Sequence, residues 1–243
     1  SIVKSMADRS GYNIRNNILY RHSFAKKGRS ISLGLNTNFT RNTSEGITDA
    51  IYRFFDNGAF EDSIQNQFAD NLTNGQNYSG TITYTEPVGK KGQLQVEYAP
   101  SIQKNTADQE TFAYDGQKYS DFNQNLSNKF DNTNTTNRGG LTYRLVQNRD
   151  DMFSVGINFQ SAKLESQRTF PTVSSVNQSF SDFLPNAMWR KKISPSSNIR
   201  VFFRSFVNFP SVTQLQDVVN LNNPLRVSAG NPGLKQSNSQ FIA

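Results

Sequence analysis

Very few side chains in this sequence have the chemistry of a catalytic centre. The only histidine is His22, and Ser23 follows it directly. A catalytic histidine needs an orienting carboxylate and a nucleophile within reach. Neighbouring residues on a strand point to opposite faces, so this pair does not supply that arrangement. The acidic pairs at 61–62 and 150–151 are the candidate cation ligands, and we expect them to be solvated residues instead.

Other site signatures are missing as well. The absence of cysteine excludes disulfides, zinc–thiolate sites and a thiol nucleophile. No EF-hand, Walker or Rossmann spacing occurs. The 26 Lys and Arg residues outnumber the 19 acidic ones and give a net charge of +7, but they are scattered over turns and polar strand positions. A nucleic-acid site would cluster them with stacking aromatics. We therefore expect no enzymatic activity, no metal, no cofactor and no nucleic-acid partner.

The composition combines low hydrophobicity with many aromatic residues. Hydrophobic residues make up 35% of the 243 positions, and the mean hydropathy is −0.65. Aromatic residues nevertheless make up 12%, which does not fit a disordered chain. No run of about 18 apolar residues exists, so the sequence contains no candidate membrane-spanning helix.

Strict alternation of apolar and polar residues predicts β-strands. The clearest case is segment 30–40, where Ile31, Leu33 and Leu35 share one face. A period of two is typical of a strand with one apolar and one polar face. Segment 12–22 is mixed, because Leu19 interrupts its alternation. The other predicted strands are 78–85, 93–99, 140–146, 152–161, 182–190, 198–209 and the start of a ninth at 239–243.

The predicted connections alternate between two kinds. The short ones are charged and rich in turn formers, which predicts hairpins; they are 25–29, 86–92, 147–151 and 191–197. The long ones are rich in Asn, Ser and Thr and are expected to be loops; they are 42–77, 105–135, 162–180 and 210–238. Segments 51–55 and 212–219 are candidates for short helices within these loops.

This rhythm predicts an all-β, antiparallel, up-and-down transmembrane β-barrel. Such barrels have short turns at one end, long loops at the other, and strands of about 9–11 residues across the hydrocarbon. Aromatic residues at the strand ends suit the girdles of a barrel; they are Tyr20, Tyr84, Tyr98, Tyr143, Trp189 and Phe209. Arg144, Arg190, Arg200 and Arg204 fall on the lumen-facing parity. A soluble β-sandwich or solenoid, whose strands also alternate, is the structural alternative.

The last third of the sequence contains its most specific motifs. Residues 210–215 read Pro-Ser-Val-Thr-Gln-Leu, and residues 230–235 read Gly-Asn-Pro-Gly-Leu-Lys. The pair resembles the barrel of TonB-dependent outer-membrane receptors of the Bacteroidetes type. The matching positions, which we interpret as a structural corner, are Pro210, Ser211, Gln214, Leu215, Gly230, Asn231, Pro232, Leu234 and Lys235.

The resemblance implies an outer-membrane receptor that takes up a glycan, a siderophore or a peptide with energy from the TonB system. It implies contact with outer-membrane lipid, coupling through a plug domain and a surface lipoprotein as a further candidate partner. Such receptors have some 22 strands around their plug. We therefore expect residues 1–243 to be one partial barrel domain, with the plug and the remaining strands absent.

Ligand contact is expected from aromatic residues in the predicted loops, which could stack on sugar rings or pack the loops together. The candidates are Tyr52, Phe54, Phe55, Phe112, Tyr114 and Tyr119. The functional alternative to a receptor is a surface or secreted structural or adhesive β-protein without transport activity.

Overall fold

The computed structural model describes residues 2–56, 59–148, 150–210, 212–215, 219–220, 228–231 and 233–243. Its strands are β1 (Ile2–Ser23), β2 (Ser30–Asp56), β3 (Ala59–Val88), β4 (Gly92–Tyr114), β5 (Tyr119–Phe122), β6 (Asn128–Val146), β7 (Met152–Phe170), β8 (Ser174–Ser194), β9 (Ser197–Asn208), β10 (Val219–Asn220), β11 (Ser228–Ala229) and β12 (Ser237–Ile242). A 3₁₀ turn covers Gln124–Leu126, and one helical turn, α1, covers Val212–Leu215.

The long strands form one antiparallel up-and-down sheet. Its order is β1-β2-β3-β4-β6-β7-β8-β9-β12, with β5 paired to β4, while β10 and β11 form a separate pair. β1 and β12 are the edges, so the sheet is open. The predicted all-β class and the predicted ninth strand are confirmed. The sandwich alternative is wrong, because a sandwich needs a second large sheet packed on the first.

The alternation divides the sheet into two faces. In β7, Phe153, Val155, Ile157 and Phe159 are all exposed, whereas the opposite face carries polar residues such as Asn158, which is buried. The register places Ile157 beside Leu141, and Leu141 beside Val96 of β4. We call the side with this continuous band the apolar face and the other side the polar face.

Leu19 interrupts the alternation of β1 because it lies on the polar face. Its backbone partner is Gly34 of β2. A Cβ built on Gly34 would lie 4.0 Å from the Leu19 Cδ1 atom and 3.7 Å from the Thr81 Cβ atom. Both are ordinary van der Waals separations, so the Leu19 side chain lies beside Gly34 without crowding, and the mixed segment still forms a regular strand.

The expected long loops are largely wrong. β2 and β3 stay paired without interruption from Ser30 opposite Thr85 to Asp56 opposite Ala59, so residues 42–77 form a hairpin and the expected helix at 51–55 is strand. Segments 105–135 and 162–180 also consist mainly of strand. Every residue except proline supplies one backbone N–H donor and one carbonyl acceptor. Polar segments can therefore form strand pairs as readily as apolar ones. We call the end of the sheet formed by segments 42–77, 105–135 and 162–180 the long-hairpin end.

The opposite, short-turn end matches the prediction closely. The connections there are 24–29, 89–91, 147–151 and 195–196. Gly28 has a φ of +88° and Gly89 a φ of +67°, a region that only glycine enters without strain. The short charged segments are therefore hairpin turns, as the sequence predicts. At the far end of the chain, α1 confirms a short helix within 212–219.

Little apolar surface is enclosed within the chain. Among the described residues, six hydrophobic side chains are buried, and most of the apolar face is open. A soluble monomer rarely exposes a continuous apolar patch larger than a few hundred Å². No helix in the described segments is long and apolar enough to span a membrane.

Candidate functional site

The motif segment that follows β9 folds back onto the polar face. Leu215 of α1 is 0% exposed and packs with Leu164 of β7 and Phe180 of β8. The rings of Phe180 and Phe209 lie 5.3 Å apart. Leu164 and Phe180 lie on the same side of the sheet as Asn158. They form a small hydrophobic patch within the otherwise polar face. The segment therefore docks over the long-hairpin half of that face.

A backbone hydrogen bond joins the two halves of the motif. The amide of Asn231 donates to the carbonyl oxygen of Gln214 at 2.6 Å. The Asn231 side-chain oxygen accepts from the Gly233 amide at 2.8 Å. Gln236, just beyond the motif, donates from Nε2 to Asp182 of β8 at 3.2 Å. The two motif halves thus form one corner, which is tied to the sheet at both ends.

The remaining motif residues surround this corner. Pro210 and Gly230 are half-buried, while Leu234 and Lys235 are exposed. Ser211 and Pro232 lie outside the described residues. The structural role of the motif stays a prediction.

A polar pocket of about 340 Å³ lies on the polar face of β4, β6, β7, β8 and β9. Its walls include Glu97, Arg138, Asn158, Asn186 and Arg204. Glycines in the wall let these side chains lie flat. A Cβ on Gly140 would come within 2.1 Å of the Asn158 Oδ1 atom, and one on Gly156 within 2.5 Å of the Thr142 Oγ1 atom.

Arginine dominates the charge of this polar face. Arg144, Arg190, Arg200 and Arg204 lie on it, as their parity predicts; Arg190 is the cross-strand partner of Arg200. The Arg204 guanidinium lies 5.5 Å from the Phe206 ring and 5.8 Å from the Phe241 ring, as cation–π contacts. Guanidinium and amide groups are suited to bind carboxylate, phosphate or hydroxyl groups.

The predicted ligand-facing aromatics do not line this pocket. Phe112, Tyr114 and Tyr119 come together at the long-hairpin end, where the Tyr114 and Tyr119 rings are 5.2 Å apart. The Tyr119 hydroxyl donates to the Asn66 side-chain oxygen at 2.8 Å. This cluster has the parity of the apolar face, because Phe112 pairs with Phe68 in register with that face. Their contact with a ligand stays a prediction.

The other three candidates lie nearer the tip of the β2–β3 hairpin. Phe55 packs edge to face against Phe60 with the ring centroids 5.2 Å apart. Tyr52 has the opposite parity and is half-buried. The Phe54 side chain lies outside the described residues.

Sequence reasoning missed two members of the aromatic cluster and the patch beneath the motif. Phe68 stacks on Tyr119 at 6.1 Å, and Phe170 on Phe122 at 5.7 Å. Ile64 and Phe68 share one strand parity, and this is a strand signal within a segment that we expected to be a loop. Leu164 has the parity opposite to Phe159, and this switch signals that the polar face becomes apolar there.

Comparison with known protein families shows which family the chain belongs to. The family model described as outer membrane protein beta-barrel family matches residues 22–240. This chain belongs to that family. It is accordingly an outer-membrane protein. No curated protein matches the sequence significantly.

Membership of the beta-barrel family gives the two faces their environments: the apolar face contacts lipid, and the polar face lines the lumen. On β7, the apolar band runs from Phe153 to Phe159 before Ser161 replaces it. Seven residues at about 3.3 Å each extend roughly 20–25 Å along the strand, somewhat less than the 9–11 residues with which a tilted barrel strand crosses the hydrocarbon. The strands of the long hairpin continue far beyond this band.

The aromatic girdle of the barrel is clearest at the short-turn end. Tyr20, Tyr84, Tyr143 and Trp189 have lipid-facing parity there. Phe209 is not a girdle residue, because it packs against Phe180 on the lumen side. The prediction for Phe209 is therefore wrong.

A network centred on Glu86 braces the girdle of the barrel. Arg29 donates to both carboxylate oxygens, from Nε at 2.7 Å and from Nη2 at 2.8 Å. The Lys26 ammonium donates at 2.6 Å and the Tyr84 hydroxyl at 2.8 Å. These hydrogen bonds, from Arg29 above all, lower the pKa of the Glu86 carboxyl far below its usual value. The network joins the β1–β2 turn to the end of β3.

Proposed function

We propose that this chain forms part of the wall of an outer-membrane receptor that takes up a nutrient with TonB-coupled energy. The nutrient class is a glycan, a siderophore or a peptide. The partners are outer-membrane lipid, the TonB system through a plug domain, and a surface lipoprotein. We propose neither a catalytic role nor a nucleic-acid partner.

The observation that supports this proposal is the motif corner. Its residues resemble those of TonB-dependent receptors, and Leu215 fixes the corner on the lumen face. The corner covers the lumen face at Leu164 and Phe180, on the long-hairpin side of the polar pocket that contains Arg138 and Arg204. Selective uptake through a wide barrel requires such a covered, polar lumen.

The test is growth of a strain that lacks the gene, beside the same strain complemented with it. Both are grown on single glycans, ferric siderophores or peptides as the limiting nutrient, with and without a protonophore. The proposal expects loss of growth on one nutrient class, and complemented uptake that stops when the protonophore is added. Equal growth of the two strains on all three classes, or uptake that continues with the protonophore, would contradict it.

The long β2–β3 hairpin favours a second candidate, an adhesive or structural surface protein. Residues 40–56 continue the hairpin beyond the apolar band for about 55 Å at 3.3 Å per residue. That length suits contact with another surface. The same two strains separate the candidates, because an adhesin deletion reduces attachment while leaving uptake of every nutrient unchanged.

A further inference from the structure

The charge of the barrel is divided unequally between its two ends. Four segments form the short-turn end and together contain twelve Lys and Arg against three acidic residues; they are 21–29, 85–92, 144–151 and 190–200. The long hairpin, 41–77, contains two basic residues against six acidic ones. The short-turn end is therefore strongly cationic.

The few acidic groups at the short-turn end already have partners. Glu86 accepts from Arg29, Lys26 and Tyr84. Asp150 lies 3.4 Å from the Lys192 ammonium. Asp151 accepts from the Asn148 side chain at 2.9 Å and from a backbone amide, and these bonds lower the pKa of its carboxyl. These carboxylates cannot neutralise the basic residues that remain.

Four of the remaining basic residues are exposed lysines in or beside the turns: Lys27, Lys90, Lys91 and Lys191. Within the described part of the chain, none of them forms a salt bridge. Lys191 lies two residues beyond Trp189 on the same, lipid-facing side of β8. The turn containing Lys27 lies against the end of β3, since a Cβ on Gly28 would be 3.5 Å from Pro87. These lysines thus border the girdle.

We infer that this cationic rim binds anionic phospholipid headgroups, of the phosphatidylglycerol class, at the membrane surface around the short-turn end. A lysine beside an aromatic girdle extends its ammonium to the headgroup level while its alkyl chain stays in contact with apolar surface. Negative lipid surfaces attract clusters of basic residues that lie within a Debye length. The acidic partner is therefore the membrane itself.

The single tryptophan of the chain provides the test, because Trp189 lies in the girdle next to Lys191. The protein, purified from outer membranes, is reconstituted in phosphatidylcholine vesicles that contain a minority of phosphatidylglycerol. Bromine quenches tryptophan fluorescence only at contact. In one sample the phosphatidylglycerol is brominated, and in the other the same mole fraction of phosphatidylcholine is brominated.

We expect brominated phosphatidylglycerol to quench Trp189 about twofold or more strongly than brominated phosphatidylcholine does. This preference for the anionic lipid should disappear at 1 M salt, where the Debye length is about 3 Å. Lys191→Gln reduces the preference, and Lys191→Arg retains it. The matched control is Lys104→Gln, which changes an exposed lysine at the opposite border of the apolar band and leaves the preference unchanged.

Equal quenching by the two brominated lipids would overturn the inference. So would a preference that survives the combined change of Lys27, Lys90, Lys91 and Lys191 to Gln. Absence of quenching by either lipid would show that Trp189 does not face lipid, which contradicts the rim. None of these results bears on nutrient uptake, so the proposed function is tested separately.

Discussion

Two arginine–carboxylate pairs with the same geometry lie at opposite ends of the barrel strands. At the short-turn end, Arg29 binds Glu86 through two hydrogen bonds of 2.7 and 2.8 Å. At the long-hairpin end, Arg53 binds Asp62 through two of 2.7 and 2.8 Å. Arg29 and Glu86 are 57 residues apart and join different turns, whereas Arg53 and Asp62 are direct neighbours across one hairpin.

Their surroundings differ more than their geometry. Glu86 has two further donors, Lys26 and Tyr84, and is less exposed than Asp62. A salt bridge between exposed side chains contributes little by itself, and a network contributes more. The short-turn end is therefore braced between hairpins at the girdle, while the long hairpin depends on its backbone ladder.

Removing the anchor of the motif corner should have the largest effect. Leu215→Ala deletes a fully buried side chain that packs on Leu164 and Phe180, so we expect a loss of about 2–5 kcal/mol in the free energy of unfolding. The matched control is Leu234→Ala in the same motif, where the side chain is 38% exposed. Urea unfolding in detergent measures both variants. Equal losses would show that the corner does not depend on its docking.

Charge on the lipid-facing side should have the next largest effect. Val201→Arg places a cation on the lipid-facing side of β9, opposite Trp189 of the girdle. Because the cost of a charge falls from the midplane towards the interface, we expect a loss of about 1–2 kcal/mol in the free energy of folding into vesicles. The control is Arg200→Gln, the neighbouring residue on the lumen face, which should change that free energy by less than about 0.5 kcal/mol. Small and equal effects at both positions would contradict the assignment of the faces.

Breaking the two arginine pairs sharpens the comparison of the ends. Glu86→Gln removes the negative charge and one of the two acceptor oxygens that three side chains share, so we expect a lower melting temperature in detergent. Asp62→Asn makes the same change in one exposed pair within a single hairpin and should leave the melting temperature unchanged. The opposite order would mean that the long-hairpin end, rather than the girdle, limits the stability of the barrel.

The pH dependence of the same variants should be the smallest effect. Because folding lowers the pKa of Glu86, its stabilisation is complete above the unfolded value of about 4.3 and is lost as the pH falls through the folded value. The difference in melting temperature between the natural protein and Glu86→Gln should therefore shrink as the pH is lowered from about 5 towards 2. A difference that stays constant over this range would contradict the ionic role of Glu86.

The sequence predicted the part of the fold that depends on neighbouring residues. Alternation at 30–40, 152–161 and 198–209 identified strands and their faces, because each face meets a different environment. Gly28 and Gly89 marked turns, since their backbone conformations need glycine. The lumen-facing parity of Arg200 and Arg204 followed from the same period of two.

The sequence did not reveal features that depend on contacts between distant segments. Residues 42–77 have the composition of a loop, but the backbone N–H and carbonyl groups of each strand in that hairpin bond to the partner strand. Phe209 is an aromatic residue at a strand end, as expected of a girdle residue, yet it packs against Phe180 on the lumen side. The aromatic cluster at Tyr119 needs four strands to align.

The absence of cysteine permits a direct test of the central claim, that one face of this sheet meets lipid and the other lines an aqueous lumen. Single cysteines are placed at positions 200, 201, 203 and 204 of β9, and each protein in vesicles is treated with a water-soluble maleimide. The account predicts labelling at 200 and 204 and protection at 201 and 203. Uniform labelling, or the reverse pattern, would contradict it.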